Sequence, residues 1–181
     1  MSVSTDTDTS SIYKSPVGYG SNAASCIDTS RGIWALWDGS NGISFYRTNN
    51  GVGNDYYVPT TTGTAPTVGQ GSIVYDSDND CFRLWIGGGK QIWKLKAPVT
   101  SPYQGGNAWT WSSATPGTGS TPDAQNTNGT FGRFNMINSA DIVGMPLMNA
   151  YNGTMYFYKS GPSVAGGSSS SNRRSLLGVG T

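Results

Sequence analysis

Residues 73–95, which read IVYDSDNDCFRLWIGGGKQIWKL, decide the fold of this protein. Three short apolar runs in this stretch are separated by an Asp/Asn-rich turn and by three consecutive glycines. Asp and Asn favour tight turns because their side chains hydrogen-bond nearby backbone groups, and glycine adopts positive φ without steric cost. The stretch therefore predicts three β-strands joined by tight turns.

The same order of strands and turns occurs in two further segments, residues 25–46 and residues 134–158. In each segment an Asp or Asn closes the first strand, and an aromatic residue lies at the centre of the third strand. The distance between them is 17, 17 and 18 residues, from Asp28 to Phe45, from Asp76 to Trp93 and from Asn138 to Tyr156. A repeated strand–turn–strand–glycine–strand unit of this period predicts an all-β protein with propeller-like blades.

The repeats divide the chain into a flexible start, three blades and a tail. We expect a flexible segment at 1–10, four-stranded blades at about 20–59, 68–113 and 128–159, and a Gly/Ser linker with a tail at 161–181. Residues 109–112 read as the fourth strand of the second blade, whereas the third repeat has none. The strand-like residues 11–14 precede the first blade and are expected to complete the last one.

These repeats resemble kelch-like, galactose-oxidase-type β-propellers. The resemblance rests on residues 75–95 with their glycine doublet, on Trp109 and Trp111 in the next strand, and on NGTFGRF at 128–134. It implies a propeller fold but no particular function, because propellers include enzymes, lectins and scaffolds. The copper chemistry of galactose oxidase does not carry over, because the chain has no histidine. We expect no cofactor and no catalytic residues.

Three blades do not close a ring, since propellers have about four blades or more. Three ways of completing the structure follow. Two copies associate into six blades, or the blades form an open stack, or the chain is part of a larger protein. A chain that starts at Met and carries its own closing strand favours oligomerisation or open packing.

Composition excludes several classes of protein. The 181 residues include 11 basic and 10 acidic side chains, so no net field attracts nucleic acid or an anionic membrane. No apolar run is long enough to span a membrane, and the polar N-terminus does not resemble a secretory signal. Cys26 and Cys81 lie in apolar runs, which favours free buried thiols over a disulfide.

Possible catalytic and metal sites have simpler structural interpretations. Asp76, Asp78 and Asp80 resemble the start of a calcium loop, but the glycine and glutamate that complete such a loop are missing. The run Gly87–Lys90 lacks the pattern and the following helix of a phosphate loop. All acidic residues are aspartates, and several occupy turn positions, so an aspartate pair for glycoside hydrolysis is not favoured. We therefore expect no metal site.

Aromatic residues are the better binding candidates. We expect Trp34, Trp37, Trp85 and Trp93 to pack the core. Flat aromatic rings on outer strands or loops can stack on sugars, and a channel-facing arginine can contact a ligand. The candidate glycan-binding residues are Tyr56, Tyr57, Tyr103, Trp109, Trp111 and Arg133. The candidate docking residues in the tail are Arg173, Arg174, Leu176 and Leu177.

The sequence predicts a non-enzymatic structural or decoration component of a virus particle, of the bacteriophage kind. This expectation rests on the low charge, the Ser/Thr/Asn/Gly-rich surface and the absence of a signal sequence. The expected location is the virion or the extracellular space. The expected partners are further copies of the chain, other virion proteins and surface glycans. The alternative is a secreted carbohydrate-binding or carbohydrate-active propeller fragment, and an intracellular kelch-type interaction module is disfavoured by the sparse charge.

Overall fold

The computed structural model describes residues 23–48, 56–67, 69–100, 107–115, 119–124, 134–138, 143–147 and 154–159. Within these ranges the chain forms twelve β-strands and no helix, so the all-β prediction is confirmed. The strands form three sheets, which we call the first, central and third sheets in chain order. The expected segments at 1–10, 11–14 and 161–181 lie outside the described residues.

The first sheet is a four-stranded antiparallel meander. Its strands, in the order β1-β2-β3-β4, are Ala24–Asp28, Ile33–Asp38, Gly42–Arg47 and Tyr56–Tyr57. The turn after β1 is fixed by Asp28, whose Oδ1 accepts hydrogen bonds from the backbone N–H groups of Ser30 and Arg31, at 3.0 and 3.1 Å. An aspartate therefore closes the first hairpin, as the repeat pattern predicts.

The central sheet repeats this meander and adds one strand at its edge. The strands β6 to β9 are Gly71–Asp76, Cys81–Ile86, Ile92–Lys96 and Trp109–Ala114. The extra strand β5, Thr61–Gly63, pairs parallel to β9 at the outer edge. Its sequence, TTG, has no apolar alternation, so the sequence did not predict it.

The third sheet is smaller. It contains β10, β11 and β12, which are Ile137–Asn138, Val143–Leu147 and Tyr156–Lys159, in an antiparallel meander. Asn138 pairs with Val143, as Asp28 pairs with Ile33 in the first sheet and Asp76 with Cys81 in the central sheet. The first pair of strands therefore has the same register at its turn in all three sheets.

Strands β6 and β7 of the central sheet are buried on both faces. One face packs against the first sheet, in a core cluster that includes Phe45 from β3 with Phe82 and Trp109 from the central sheet. The other face contributes Val74, Trp85 and Ile92 to a second cluster, which contains Phe134 and packs against Met136, Tyr156 and Tyr158 of the third sheet and the segment that leads into it. A nearly continuous apolar sequence such as that of β7 is typical of a strand covered on both faces.

The glycine run after β7 has a structural role. Gly87, Gly88 and Gly89 all have positive φ, and a Cβ on Gly88 would overlap the carbonyl of Asp123. The N–H of Gly89 donates to the carbonyl of Pro122 at 3.1 Å, and Lys90 donates to the carbonyl of Gly119. This turn therefore holds residues 119–124 against the central sheet.

Phe82→Ala tests the contact between the first and central sheets. Phe82 is 1% exposed and lies next to Phe45, Trp109 and Tyr75, with ring centroids 5.4 to 5.7 Å apart. Truncation leaves a cavity among these rings, and we expect the free energy of unfolding to fall by about 3–5 kcal/mol. Urea denaturation measures this change. Val99→Ala is the control, because Val99 is fully exposed and its truncation should change stability by less than about 0.5 kcal/mol.

Candidate docking face

The outer face of the first sheet carries a row of four large side chains, one from each strand. Strand pairing places Ile27 opposite Trp34, Trp34 opposite Tyr46, and Tyr46 opposite Tyr56. We call this row, Ile27–Trp34–Tyr46–Tyr56, the aromatic ladder. Residues directly opposite each other across strands have side chains on the same face, so the ladder crosses the whole sheet.

The ladder is exposed at one end and half-buried at the other. Trp34 is 42% exposed and Ile27 is 48% exposed, whereas both tyrosines are half-buried. The ring centroids of Trp34 and Tyr46 are 5.5 Å apart with a 39° angle between the ring planes. Those of Tyr46 and Tyr56 are 5.2 Å apart at 57°. These contacts are worth about 0.5–1.5 kcal/mol for each pair and fix the ring positions.

The face around the ladder is uncharged. Alternation along the strands places Ser25, Leu36, Ser44 and Thr48 on the same side of the sheet. Ser25 and Thr48 are exposed, whereas Leu36 and Ser44 are buried. Arg47 lies opposite Ile33 and therefore on the inner face. Among the described outer-face positions of β1 to β4 the only charged residue is Asp38, which is 2% exposed and caps a turn. An apolar face without charged side chains is typical of a surface that binds a partner.

The equivalent row in the central sheet packs against a neighbouring sheet. There, strand pairing aligns Tyr75, Phe82, Leu95 and Trp111. Phe82, Leu95 and Trp111 are buried in the core cluster beneath the first sheet, and Tyr75 packs against that cluster. The ladder has the same place in its sheet but leaves Trp34 and Ile27 exposed. It is therefore a sheet-packing row that is only partly covered at its Ile27 and Trp34 end.

The structure does not bring the described predicted glycan-binding residues together on one exposed face. Tyr56 belongs to the ladder, whereas Tyr57 turns inward and packs edge-on against Phe45, with centroids 5.5 Å apart. Trp109 and Trp111 are on the predicted strand, but they are 1% and 4% exposed and present no ring face to a sugar. Their expected stacking role is therefore corrected to a packing role between sheets. Tyr103, Arg133, Arg173, Arg174, Leu176 and Leu177 lie outside the described residues.

Trp34 and Tyr46 were not among the binding residues predicted from the sequence. It assigned Trp34 to the core because the second strand of a blade was expected to be covered on both faces. Trp34 lies between Ile33 and Ala35, which are both fully buried, so alternation points its side chain to the other face. The alternation of side chains along this strand was therefore the signal in the sequence that could have identified Trp34. Trp37 and Trp85 are buried as expected, and Trp93 is half-buried against the core.

A polar cluster joins the first and central sheets beside their first turns. The guanidinium of Arg31 contacts the carboxylate of Asp28 at 2.6 Å and also pairs with Asp80. The hydroxyl of Tyr75 donates to Asp80 at 2.9 Å and accepts from Arg31 at 3.2 Å. The hydrogen bond and charge of Arg31 lower the pKa of Asp80, so this carboxylate stays ionised in the folded protein.

Asp76, the first carboxylate of the possible calcium loop, also has structural partners. Asp76 is fully buried, and its Oδ2 accepts hydrogen bonds from Asn79 at 2.9 Å and from Arg83 at 3.0 Å. Asp80 pairs with Arg31, as described above. In the described part of the chain, no group of three or more acidic or cysteine side chains is arranged to hold a metal ion.

The two cysteines are free, as predicted. Burial raises the pKa of the Cys81 thiol to about 11, and it raises that of Cys26 well above its usual range, with the nearby charge of Asp28 as a second cause. Both thiols are therefore protonated at neutral pH. A protonated buried thiol is a poor nucleophile, so their environment suits packing.

A shallow cleft of about 190 Å³ lies between the first sheet and the segment that leads to β5. The edges of Trp37 and Trp111 line it, together with Asn41, Val58 and Thr61. Its volume is below the roughly 300 Å³ of typical small-molecule pockets. The ladder is therefore the stronger candidate for the functional surface.

No protein-family model, curated protein or solved structure matches this chain. Among the residues with described positions, no helix has the length and apolar character needed to cross a membrane.

Asp80→Asn tests the polar cluster. Asn tolerates the positive φ of 50° at this position, so the substitution removes the charge without new backbone strain. Because the pKa of Asp80 is lowered in the folded state, its stabilising effect is present above pH 4 and is lost as the pH falls through the folded-state pKa.

We expect Asp80→Asn to lower stability by about 1 kcal/mol or less at pH 7, since Asp80 is partly exposed, and to have a smaller effect at pH 3. Urea denaturation at both pH values measures the difference. Asp78→Asn, which removes the same charge from the same turn, is the control. An equal effect of the two substitutions at pH 7 would contradict a specific role for the pair between Arg31 and Asp80.

Proposed function

We propose that this protein is a non-enzymatic structural or decoration component of a virus particle, of the bacteriophage kind, and that the outer face of its first sheet docks onto other protein. The observation that carries this proposal is the partly exposed aromatic ladder, in which Ile27 is 48% and Trp34 42% exposed. Burial contributes about 25 cal/mol for each Å² of apolar surface removed from water, so covering the exposed part of Trp34 favours association.

The propeller-like architecture is part of the proposal. The first and central sheets support it, because they share strand order, hairpin register and an aspartate that closes the first turn. They also stack as neighbouring blades do, with the inner face of one on the ladder row of the next. The third sheet departs from this pattern. Met136, two residues before Asn138, matches Cys26 of the first sheet, and both side chains pack toward the central sheet. The third sheet therefore turns toward the central sheet the face that corresponds to the inner face of the first sheet, and not its ladder row.

The chemistry of the described side chains agrees with a structural role. The carboxylates of Asp28, Asp76 and Asp80 are held by turn amides or arginines, and the two thiols are protonated. General acid–base catalysis needs a proton-transfer group with a pKa near the working pH and within reach of a substrate. The described groups with perturbed pKa values are instead part of the contacts between turns and sheets.

The virion assignment rests on sequence composition. Only 12% of the residues are charged, and the chain is rich in Gly, Ser, Thr and Asn. Such a surface has few long charged side chains to order when it is covered by neighbouring subunits. Low charge also reduces the repulsion between many copies packed at high density.

Particle fractionation tests the proposed function. We expect the chain to band with particles at a fixed ratio to the other virion proteins on a density gradient, as measured by quantitative mass spectrometry. Trp34→Ser should shift most of the protein to the unbound fraction, because it removes the largest exposed ring of the ladder. Val99→Ser is the control, since it removes a fully exposed apolar side chain elsewhere. Wild-type protein that is absent from the particle band would disprove the assignment.

Carbohydrate binding by a secreted propeller fragment is the second candidate. The exposure of Trp34 favours it, because an indole can stack on a sugar ring. The ladder geometry weakens it. The aromatic rings of the ladder contact one another at 5.2 to 5.5 Å and so cover much of the ring surface that a sugar would need.

Titration with neutral oligosaccharides, followed by tryptophan fluorescence, separates the two candidates. Under the assembly proposal we expect no saturable change. A saturable change that Trp34→Ser removes and Trp34→Phe retains would favour carbohydrate binding.

A further inference from the structure

We propose that Asn41 is a site of spontaneous covalent modification, at which the asparagine is converted into aspartate and isoaspartate through a cyclic imide formed with the backbone nitrogen of Gly42. The site lies in the turn between β2 and β3 of the first sheet. This inference goes beyond the proposed particle role and does not depend on it.

The reaction needs only water. The backbone nitrogen of Gly42 loses its proton to solvent and forms a bond to the side-chain carbonyl carbon of Asn41. The bond from that carbon to Nδ2 then breaks, and the leaving nitrogen takes up a proton from solvent to form ammonia. Water opens the cyclic imide at either of its two carbonyl groups, which gives aspartate or isoaspartate. The net change is hydrolysis of an amide, and no group is oxidised or reduced.

The residue after Asn41 makes the attack sterically accessible. Gly42 has no side chain to shield its backbone nitrogen, and its φ of 79° shows a conformation that glycine adopts without steric cost. In the described part of the chain, Asn41 is the one asparagine that precedes a glycine. The other described asparagines precede residues with side chains, and they are Asn79, Asn107, Asn135 and Asn138.

Asn41 is also open to solvent and loosely held. Its side chain is exposed, and its Nδ2 donates to Oδ2 of Asp38 at 3.2 Å, at the long end of the range for such hydrogen bonds. Asn79, in the first turn of the central sheet, is half-buried. The Nδ2 of Asn79 donates to both carboxylate oxygens of Asp76, at 2.9 and 3.1 Å, and its backbone N–H donates to Oδ1 at 3.2 Å. Asn79 is therefore expected to be unreactive and serves as an internal comparison.

The position of Gly42 in the hairpin sets the expected rate. Gly42 pairs with Asp38 as the last pair before the turn, so the attack requires this pair to open. Terminal pairs and exposed turns open locally with free energies far below that of global unfolding. We therefore expect Asn41 in the folded protein to react no more than about tenfold more slowly than in an open peptide.

The modification changes a turn that contacts the central part of the protein. Asp38 is 2% exposed, and its Oδ1 accepts from the backbone N–H of Ser40 at 2.7 Å. Conversion of Asn41 removes the donor to the other carboxylate oxygen and places a second negative charge beside a buried one, which is unfavourable. A Cβ on Gly39 would lie 3.1 Å from the backbone of Gly69, so the turn packs against the segment that leads to β6. The modified turn should therefore hold that segment less well.

Incubation of the purified chain in warm, mildly alkaline buffer tests the proposal. Proteolysis and mass spectrometry with electron-transfer fragmentation measure aspartate and isoaspartate at each asparagine. A synthetic peptide with the sequence of residues 39–43 gives the reference rate. We expect Asn41 to convert at a rate within about tenfold of the peptide, and Asn79 to remain unchanged over the same time. A slower conversion at Asn41, or equal conversion at Asn41 and Asn79, would overturn the inference.

Asn41→Gln is the matched control for the structural effect. Its side chain keeps an amide beside Asp38, but cyclisation needs a larger ring and is much slower. After incubation we expect the thermal midpoint of the wild type to fall by about 2–4 °C and that of Asn41→Gln to stay within error of its fresh value. Asn41→Asp, which supplies the charge of one product, should lower the midpoint without incubation. An equal fall in the wild type and Asn41→Gln would show that the loss of stability does not arise at Asn41, which overturns the proposed effect on the turn.

Discussion

The structure depends on the packing of the first sheet onto the central sheet around three aromatic rings. Phe45 reaches across the gap, and its centroid lies 4.7 Å from that of Trp109 and 5.5 Å from that of Phe82. A meander on its own leaves its apolar face in water, which is unfavourable. Stacking sheet on sheet removes that face from water, so the contact between the two sheets stabilises both.

The polar cluster at the first turns gives that packing a defined register. Arg31 from the first sheet contacts Asp80 and Tyr75 from the central sheet while it also pairs with Asp28. Each ion pair that is partly exposed contributes little to stability. Their joint geometry, however, is satisfied only when the two turns are aligned. Apolar packing supplies most of the free energy, and the polar cluster specifies how the two sheets align.

Much of this fold could be predicted from the sequence, because local chemistry determines it. Aspartate and glycine mark the turns, and the alternation of apolar residues marks the strands, so the hairpins around Asp28 and Asp76 follow from a few residues each. The edge strand β5 could not be predicted, since Thr61–Gly63 become a strand only by pairing with β9. The orientation of the third sheet was also beyond the sequence, because the same hairpin can present either face to its neighbour.

For a related reason, the sequence predicted the residue type of the candidate site but not which of its aromatic side chains are exposed. The sequence singled out aromatic side chains, but it placed Trp109 and Trp111 outside and Trp34 inside. Rows of the same kind occur in the first and central sheets, but their exposure differs. Trp111 is 4% exposed beneath the first sheet, whereas Trp34, on the outer face of the first sheet, is 42% exposed. The strand pattern is the same in both sheets, so it does not show which row another sheet covers. A position that forms core in one repeat is therefore partly exposed in another, and the proposed docking surface rests on this difference in burial.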